Sequence, residues 1–521
     1  MLALNRILAM AFKSKEQKEQ DKEKNKNTYI STVVQHLKLS NLGYAVISDI
    51  LSHANSLYNT LTFNLRQGFF VHKTLNFQSL TIDLQTDFKE NYHYKMLHSQ
   101  AAQSVCHKVT ENFKSFKQLL DKHFSEGTKK PKLPGYRQKG GMFEVTYPGQ
   151  SVNISQEHGI IFATVSTGMM FKKQHKEDVM ETSLNERLKF RVPDDVDPQS
   201  LVELVITSKH REVYLHWVCR KKKEIITELD KSSVLGIDIG LNNFVTCIPN
   251  TGQEGFIING RPLKAINQFY NKTVSKLKKG HQFAFRKRGN PITGYPALPH
   301  DESRGLRVPP FSLFTLGKDE NFWSGSLARA TQARNNQVRD FIKKSARTII
   351  NKCLESKIGK IVFGWNQGIK NEIDNGRVNN QNFVQVPFTA LRDTLKYLCE
   401  RYGIEFVVVE ESYTSKMSFF DGDELPIFGK ETESQKKQKP SGRRTKRGEY
   451  KTASGTVVNA DAQGACNILR KAKIDTSKIT FRVCQILKRI NIWIGKKLSS
   501  RKSTAAGLSC CTTIGLTEPG Q

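Results

Sequence analysis

The sequence predicts a multidomain α+β chain: a small β-barrel with a helical block inserted in it, followed by an α/β domain. Three observations predict it. At 521 residues the chain exceeds what one hydrophobic core organises, which implies two to four units of about 100 to 200 residues each. Between about residues 140 and 230, short apolar segments alternate in period two between turns, the pattern of a barrel or sandwich. Beyond 231, three strands in a meander give way to helices alternating with short apolar strands, the order of an α/β sheet.

Residues 1–30 hold a brief apolar run, MLALNRILAMAF, and then KSKEQKEQDKEKNKN. The apolar part is too short for a membrane span or signal segment, and the whole reads as a disordered basic arm. VVQHLKLSNL (33–42) reads as a strand entering the first unit. From 43 to 129 the pattern is helical and basic. Its last helix repeats Val105, Val109, Phe113 and Phe116 at helical spacing, a core face, and leaves Lys108, Lys114, Lys117 and Lys122 to exposed faces that meet phosphate or only water. KKPKLPGYRQKGG (129–141), punctuated by Pro and Gly, ends the block. FEVTY, SVNIS, GIIFATVS, LKFRVP, LVELVITS and EVYLHWVCR then supply the barrel strands.

The next unit opens with VLGIDIGLNNFV (234–245): β-formers Val234, Leu235, Ile237 and Ile239, a turn at Gly240, Asn242 and Asn243, and a second strand at Phe244–Ile248. GFIIN (255–259) is the third strand, and Pro262 opens a helix where a proline is tolerated. Residues 280–325 are irregular, an expected loop insertion. A long helix follows, with Val338, Phe341, Ile342, Ile349, Ile350 and Cys353 on one face. KIVFGW is a buried strand, PFTALRDTLKYLCERYG a helix closed by Gly403, and IEFVVVEESY (404–413) another strand. A meander followed by alternating helices and parallel-type strands is the order of an RNase H-like fold.

Lys+Arg 81 against Asp+Glu 49 leaves a net charge of +32, which favours a polyanionic partner, nucleic acid first, because each neutralised phosphate releases condensed counterions. No apolar run of about 18 residues points to a membrane. The nine cysteines form no CxxC pair, which fits reduced thiols in a cytosolic or nuclear setting and argues against a zinc ribbon.

Acidic residues interrupt this apolar framework at three sites. Asp238 lies in the first strand; Glu410 and Glu411 end a later one; Asp461 stands in the first turn of the helix in VVNADAQGACNILRK. Each has a bland explanation: a turn cap, a solvated strand end, a helix cap. In an RNase H-like topology, however, all three can converge on one sheet edge. Carboxylates gathered there repel unless cations bridge them, and two Mg²⁺ ions about 3.5–4 Å apart would serve phosphodiester chemistry.

GIDIGLNNFVT, ESYTSK and RGEYKTASGTVVNADAQGACNIL together resemble the RuvC-type nuclease half of the TnpB/OrfB proteins of insertion sequences, relatives of Fanzor proteins and of type V CRISPR effectors. The resemblance is specific over 234–475 and looser before it. It implies a wedge-type β-barrel (31–42 and 130–230), a helical recognition lobe (43–129), a RuvC-like domain (231–414 and 459–498) and a zinc-free target-nucleic-acid-binding or lid insertion (415–458), with a disordered tail at 499–521. It further implies binding of a guide RNA, recognition of a short motif beside the target, and cutting of double-stranded DNA.

By this resemblance Asp238, Glu411 and Asp461 are the catalytic, metal-ligating acids, with Glu410 as the fallback, since strand alternation points neighbouring side chains to opposite faces. The family commonly carries its middle glutamate after the strand that here reads IVFGWNQG, where this chain offers no carboxylate; Glu411, just before YTSK, fits the relocated position of some members. Many relatives place CxxC pairs where this chain has none, so no zinc is expected. Lys436, Lys437, Lys439, Arg443, Arg444, Lys446 and Arg447 are candidates for contact with nucleic acid or for a lid, the alternative being a solvated loop. The expected cofactor is two Mg²⁺ ions; the expected partners are guide RNA and duplex DNA, with no membrane and one copy per guide, in a nucleoid-associated cytoplasmic setting or a eukaryotic nucleus. The competing readings are a cleavage-deficient RNA-guided repressor and a strand-joining transposase.

Overall fold

The computed structural model describes residues 27–72, 80–174, 188–209, 212–226, 228–288, 325–366, 386–426, 438–446 and 448–494, together with 429 and 432. The chain opens with β1 (Thr28–Leu37), α1 (Asn41–His72), α2 (Leu80–Asp87), α3 (Tyr92–Met96) and α4 (Ser99–Glu126). The first strand lies five residues earlier than VVQHLKLSNL suggests, because TYIST, also β-prone, pairs with the far end of a long partner. In α4 the expected face is the buried one: Val105, Val109, Phe113 and Phe116 lie in the core, and Lys108, Lys114, Lys117 and Lys122 are exposed.

Next come β2 (Val145–Pro148), β3 (Asn153–Glu157), β4 (Ile160–Thr164), α5 (Met169–Gln174), β5 (Lys189–Arg191), β6 (Leu201–Lys209) and β7 (Glu212–Lys222). They do not close into a ring: among the described residues they form an antiparallel sheet ordered β1-β7-β6-β2 and a separate sheet β3-β4-β5. The chain leaves the first sheet at a tight turn after β2, where Gly149 packs so close to the Leu201 carbonyl that a Cβ would fall 2.4 Å from its oxygen. Both sheets and the helices share one core around Trp217, Tyr147 and Phe113.

The second half contains β8 (Asp230–Ile239), β9 (Asn243–Pro249), β10 (Phe256–Asn259), α6 (Arg261–Arg288), α7 (Gly325–Glu355), β11 (Ile358–Gly364), α8 (Phe388–Tyr402) and β12 (Glu405–Val409). It ends with β13 (Arg443–Arg444), β14 (Glu449–Lys451), β15 (Val457–Asn459), α9 (Ala460–Lys471), α10 (Phe481–Gln485) and β16 (Lys488–Ile490). Helix α6 runs past residue 280; the rest of the expected 280–325 insertion, and the expected arm before residue 27 and tail after 494, lie outside the described residues. Gly403 closes α8 at φ 77°, as its position after the last apolar residue suggests.

Six of these strands form one mixed sheet in the order β12-β11-β8-β9-β10-β16. The meander β8-β9-β10 is antiparallel, whereas β11 runs parallel to both β8 and β12. Period-two alternation divides β8 between two layers: Leu235 and Ile237 pack with α7 and α8, while Val234 packs with α9. By the same count Asp238 faces the α9 side. No described helix is long and apolar enough to cross a membrane.

Candidate active site

Asp238 is the penultimate residue of β8, only 8% exposed, beneath α9. The close approach is made by Gly464 of α9, whose missing Cβ would fall 3.2 Å from the Asp238 carboxyl carbon. Burial first, and then the charges of Asp461 and Glu411, hold the Asp238 carboxyl well above the ordinary carboxylate range; Arg444 and the Ile239 N–H act the other way. A carboxylate so placed calls for a proton or a cation.

Asp461 enters from the start of α9. It is not the helix cap: Asn459 takes that role, its side-chain oxygen accepting from the backbone N–H of Asp461 at 3.0 Å and of Ala462 at 3.1 Å. The Asp461 carboxylate is thereby freed from capping, and its Oδ2 accepts from Asn243 Nδ2 at 2.7 Å.

Glu411 follows β12. Its N–H donates to Asn366 Oδ1 at 3.2 Å and its carbonyl accepts from the Thr414 hydroxyl at 2.7 Å. The side chain reaches over the end of β11, where its Oε2 lies 3.3 Å from the place a Gly364 Cβ would occupy. That oxygen is closed off from water and has no hydrogen-bond partner. Burial, with Glu410 beside it, raises the carboxyl to about 7, against an opposing pull from Lys471. Glu410 turns elsewhere. Burial alone would raise it, but hydrogen bonds from Lys471 and Ser412 outweigh burial and hold it below its usual value.

Among the described residues no three His, Cys, Asp or Glu side chains stand close enough to hold an ion as they are. The donor set nevertheless fits a hard divalent cation: three carboxylates from three chain segments, one of them buried and one ending in an unpartnered oxygen.

Of the basic candidates, Lys436, Lys437 and Arg447 lie outside the described residues. Lys439, Arg443, Arg444 and Lys446 are exposed. Arg443 and Arg444 are not loop residues: they form β13, paired with β14, and Arg444 is the one whose charge reaches Asp238. This small sheet is stapled by Asp423, which accepts from the backbone N–H of Ser418 at 2.7 Å and of Ser441 at 3.0 Å, and from the Ser441 hydroxyl. Its backbone oxygen accepts from Arg470 of α9 at 3.0 Å. Gln463 and Asn467 donate from α9 to the Thr414 and Met417 carbonyls, tying the same turn to the helix that carries Asp461.

Sequence reasoning singled out the acids and missed what holds them. Asn243 read only as turn chemistry, and Asn366, Lys471 and Asp423 drew no notice. The available signal was an amide or a lone charge at the end of an apolar strand, which has several meanings until the partner strand is known.

A model of a Cas12f1-like TNB domain matches residues 388–468, and a model of an OrfB protein of the IS605 type, described as a probable transposase, matches residues 217–291. No curated protein matches. Among solved structures, a Cas12f1 in complex with sgRNA and target DNA is 15% identical, with 82% of this chain and 83% of that one aligned at a TM-score of 0.52, a likeness of fold. CasPhi-2 (Cas12j) bound to crRNA is 8% identical over 87% of this chain and 99% of that one, at a TM-score of 0.38. The chain is thus a mixed α/β multidomain protein with the fold likeness of a Cas12f1, and two of its segments match the models of an OrfB-type probable transposase and of a Cas12f1-like TNB domain.

Proposed function

We propose that the chain is an RNA-guided DNA endonuclease whose second half is a RuvC-like nuclease domain and whose first half is a wedge and recognition lobe. The observation that supports this is that Asp461 and Glu411, from two other segments of the chain, both lie within electrostatic reach of the buried Asp238. Kinship with TnpB/OrfB and Cas12 proteins supports an RNA-guided nuclease at the level of the family.

Asp238, Glu411 and Asp461 would hold the metal, with Glu410 excluded by its bond to Lys471. Bound there, a pair of Mg²⁺ ions supplies activation of water and stabilisation of the leaving oxygen of a phosphodiester. The chain's own groups do the rest. Asp238 and Glu411 are both disfavoured as bare anions, which suits them to a cationic partner. Asn243 orients Asp461. Arg444, on β13 and within electrostatic reach of Asp238, draws the phosphate backbone toward the acids, with Arg443, Lys439 and Lys446 as further contacts on the same exposed surface. Guide RNA and duplex DNA are the partners that the family and the +32 charge favour.

The competing reading is guided DNA binding without cutting. Cleavage separates the two. The protein with its co-purified RNA is incubated with Mg²⁺ and a duplex matched to that RNA, beside Asp238→Ala and Glu411→Ala. Metal-dependent cutting that both substitutions abolish supports the nuclease; tight binding without cutting by the unmodified protein supports the repressor.

A further inference from the structure

We infer that Arg489 and Asn243 form a positioning relay that fixes which oxygen of Asp461 is offered to a divalent cation, an inference that rests on the metal centre proposed above. Arg489 donates to Asn243 Oδ1 at 3.1 Å, and Asn243 Nδ2 donates to Asp461 Oδ2 at 2.7 Å. A guanidinium only donates, so it holds the carboxamide oxygen toward itself and leaves the amide hydrogens facing Asp461. With Oδ2 engaged, Oδ1 is the oxygen left for a metal.

The fold supplies a rigid mount for this relay. Gly240 donates its N–H to the Phe244 carbonyl at 3.3 Å, and a Cβ on it would fall 2.7 Å from the backbone carbonyl oxygen of Asn243, so only glycine permits the turn this tightly. Gly260 fastens the other side, its N–H donating to the Asn242 carbonyl at 2.8 Å. A bulge between Ile258 and Asn259 sets Asn259 opposite Asn243. Strand β16 runs parallel to β10 with Arg489 opposite Ile257, and Asn259 Nδ2 donates to Asn491 Oδ1 at 2.8 Å. An edge strand from the far end of the chain thus delivers the one cation in the relay. Partners that orient a metal ligand in this way typically change metal affinity 10- to 100-fold when removed.

The test is calorimetric titration of the full chain with Mn²⁺, beside thermal unfolding. Arg489→Ala and Asn243→Ala are each expected to weaken Mn²⁺ binding about tenfold. The double variant is expected to bind no more weakly than Asn243→Ala alone, because Arg489 acts through Asn243. Arg489→Lys, which also donates to a carbonyl oxygen, is expected to recover most of the loss, a rescue that a purely structural role would not track. Unchanged Mn²⁺ affinity in Arg489→Ala, or losses that multiply in the double variant, would overturn the relay. Asp461→Ala distinguishes the two levels. If it loses Mn²⁺ while Arg489→Ala does not, the relay alone falls; if it binds Mn²⁺ like the unmodified chain, the metal centre falls and the relay with it.

Discussion

Lys471 donates to Glu410 Oε2 at 2.7 Å and to the Ser412 carbonyl at 2.6 Å, its side chain only 7% exposed, and so ties Glu410 into an ion pair while Glu411 reaches over Gly364. Glu410→Gln would leave a shielded ammonium short of its counter-charge, at a cost of about 1–3 kcal/mol. Thermal unfolding should fall while Mg²⁺-dependent cutting persists. Glu411→Gln should do the reverse. Cutting lost in Glu410→Gln and kept in Glu411→Gln would exchange the two assignments.

Glu411 titrates at about 7 when folded and near 4.5 when unfolded. Its contribution to stability is therefore complete below about pH 4.5 and lost as pH rises through 7, since the folded chain binds the extra proton in that window. Glu411→Gln should stabilise the metal-free protein at pH 8, by roughly 3 kcal/mol at most, and have little effect at pH 4.5. Cutting at sub-saturating Mg²⁺ should increase through pH 7, because the ion competes with that proton. A flat profile from pH 6 to 8 would contradict the buried position of Glu411.

Gly464→Ala sets two effects against each other. Alanine favours a helix interior by about 1 kcal/mol over glycine. Its Cβ, however, would lie 3.2 Å from both the carboxyl carbon and Oδ2 of Asp238, which must shift by a few tenths of an ångström. Unfolding temperature should hold or rise while the cutting rate falls about tenfold, as a displaced ligand requires. An unchanged rate would remove Asp238 from the chemistry.

The Asp423 staple should be independent of metal. A zinc chelator should leave the unfolding temperature of the chain unaltered, whereas Asp423→Ala, which orphans the Ser418 and Ser441 N–H groups, should lower stability by about 1–3 kcal/mol. It should also weaken nucleic-acid binding, since β13 loses its anchor. A chelator-sensitive unfolding temperature would show a structural metal.

The meander, the helix closed by Gly403 and the core face of α4 were legible because each is a local pattern: period two, a left-handed cap, or helical spacing. The three acids stood out for a related reason, as charges inside apolar runs. The sheet boundary at Gly149 was not, because strands that would close a barrel and strands that stop short of it alternate in the same way. The relation of Glu411 to Gly364 was likewise hidden. It depends on the parallel register of β11 and β12, which brings together residues 47 positions apart. The relay through Asn243 depends on β16, three residues long and unremarkable in the sequence.

The most direct measurement is the location of bound metal. Crystals of the chain with Mn²⁺ and a nucleic-acid duplex, read by anomalous diffraction, should show two ions about 3.5–4 Å apart held by Asp238, Glu411 and Asp461. Ions bound only elsewhere, or the three carboxylates left apart at saturating Mn²⁺, would contradict the proposed centre.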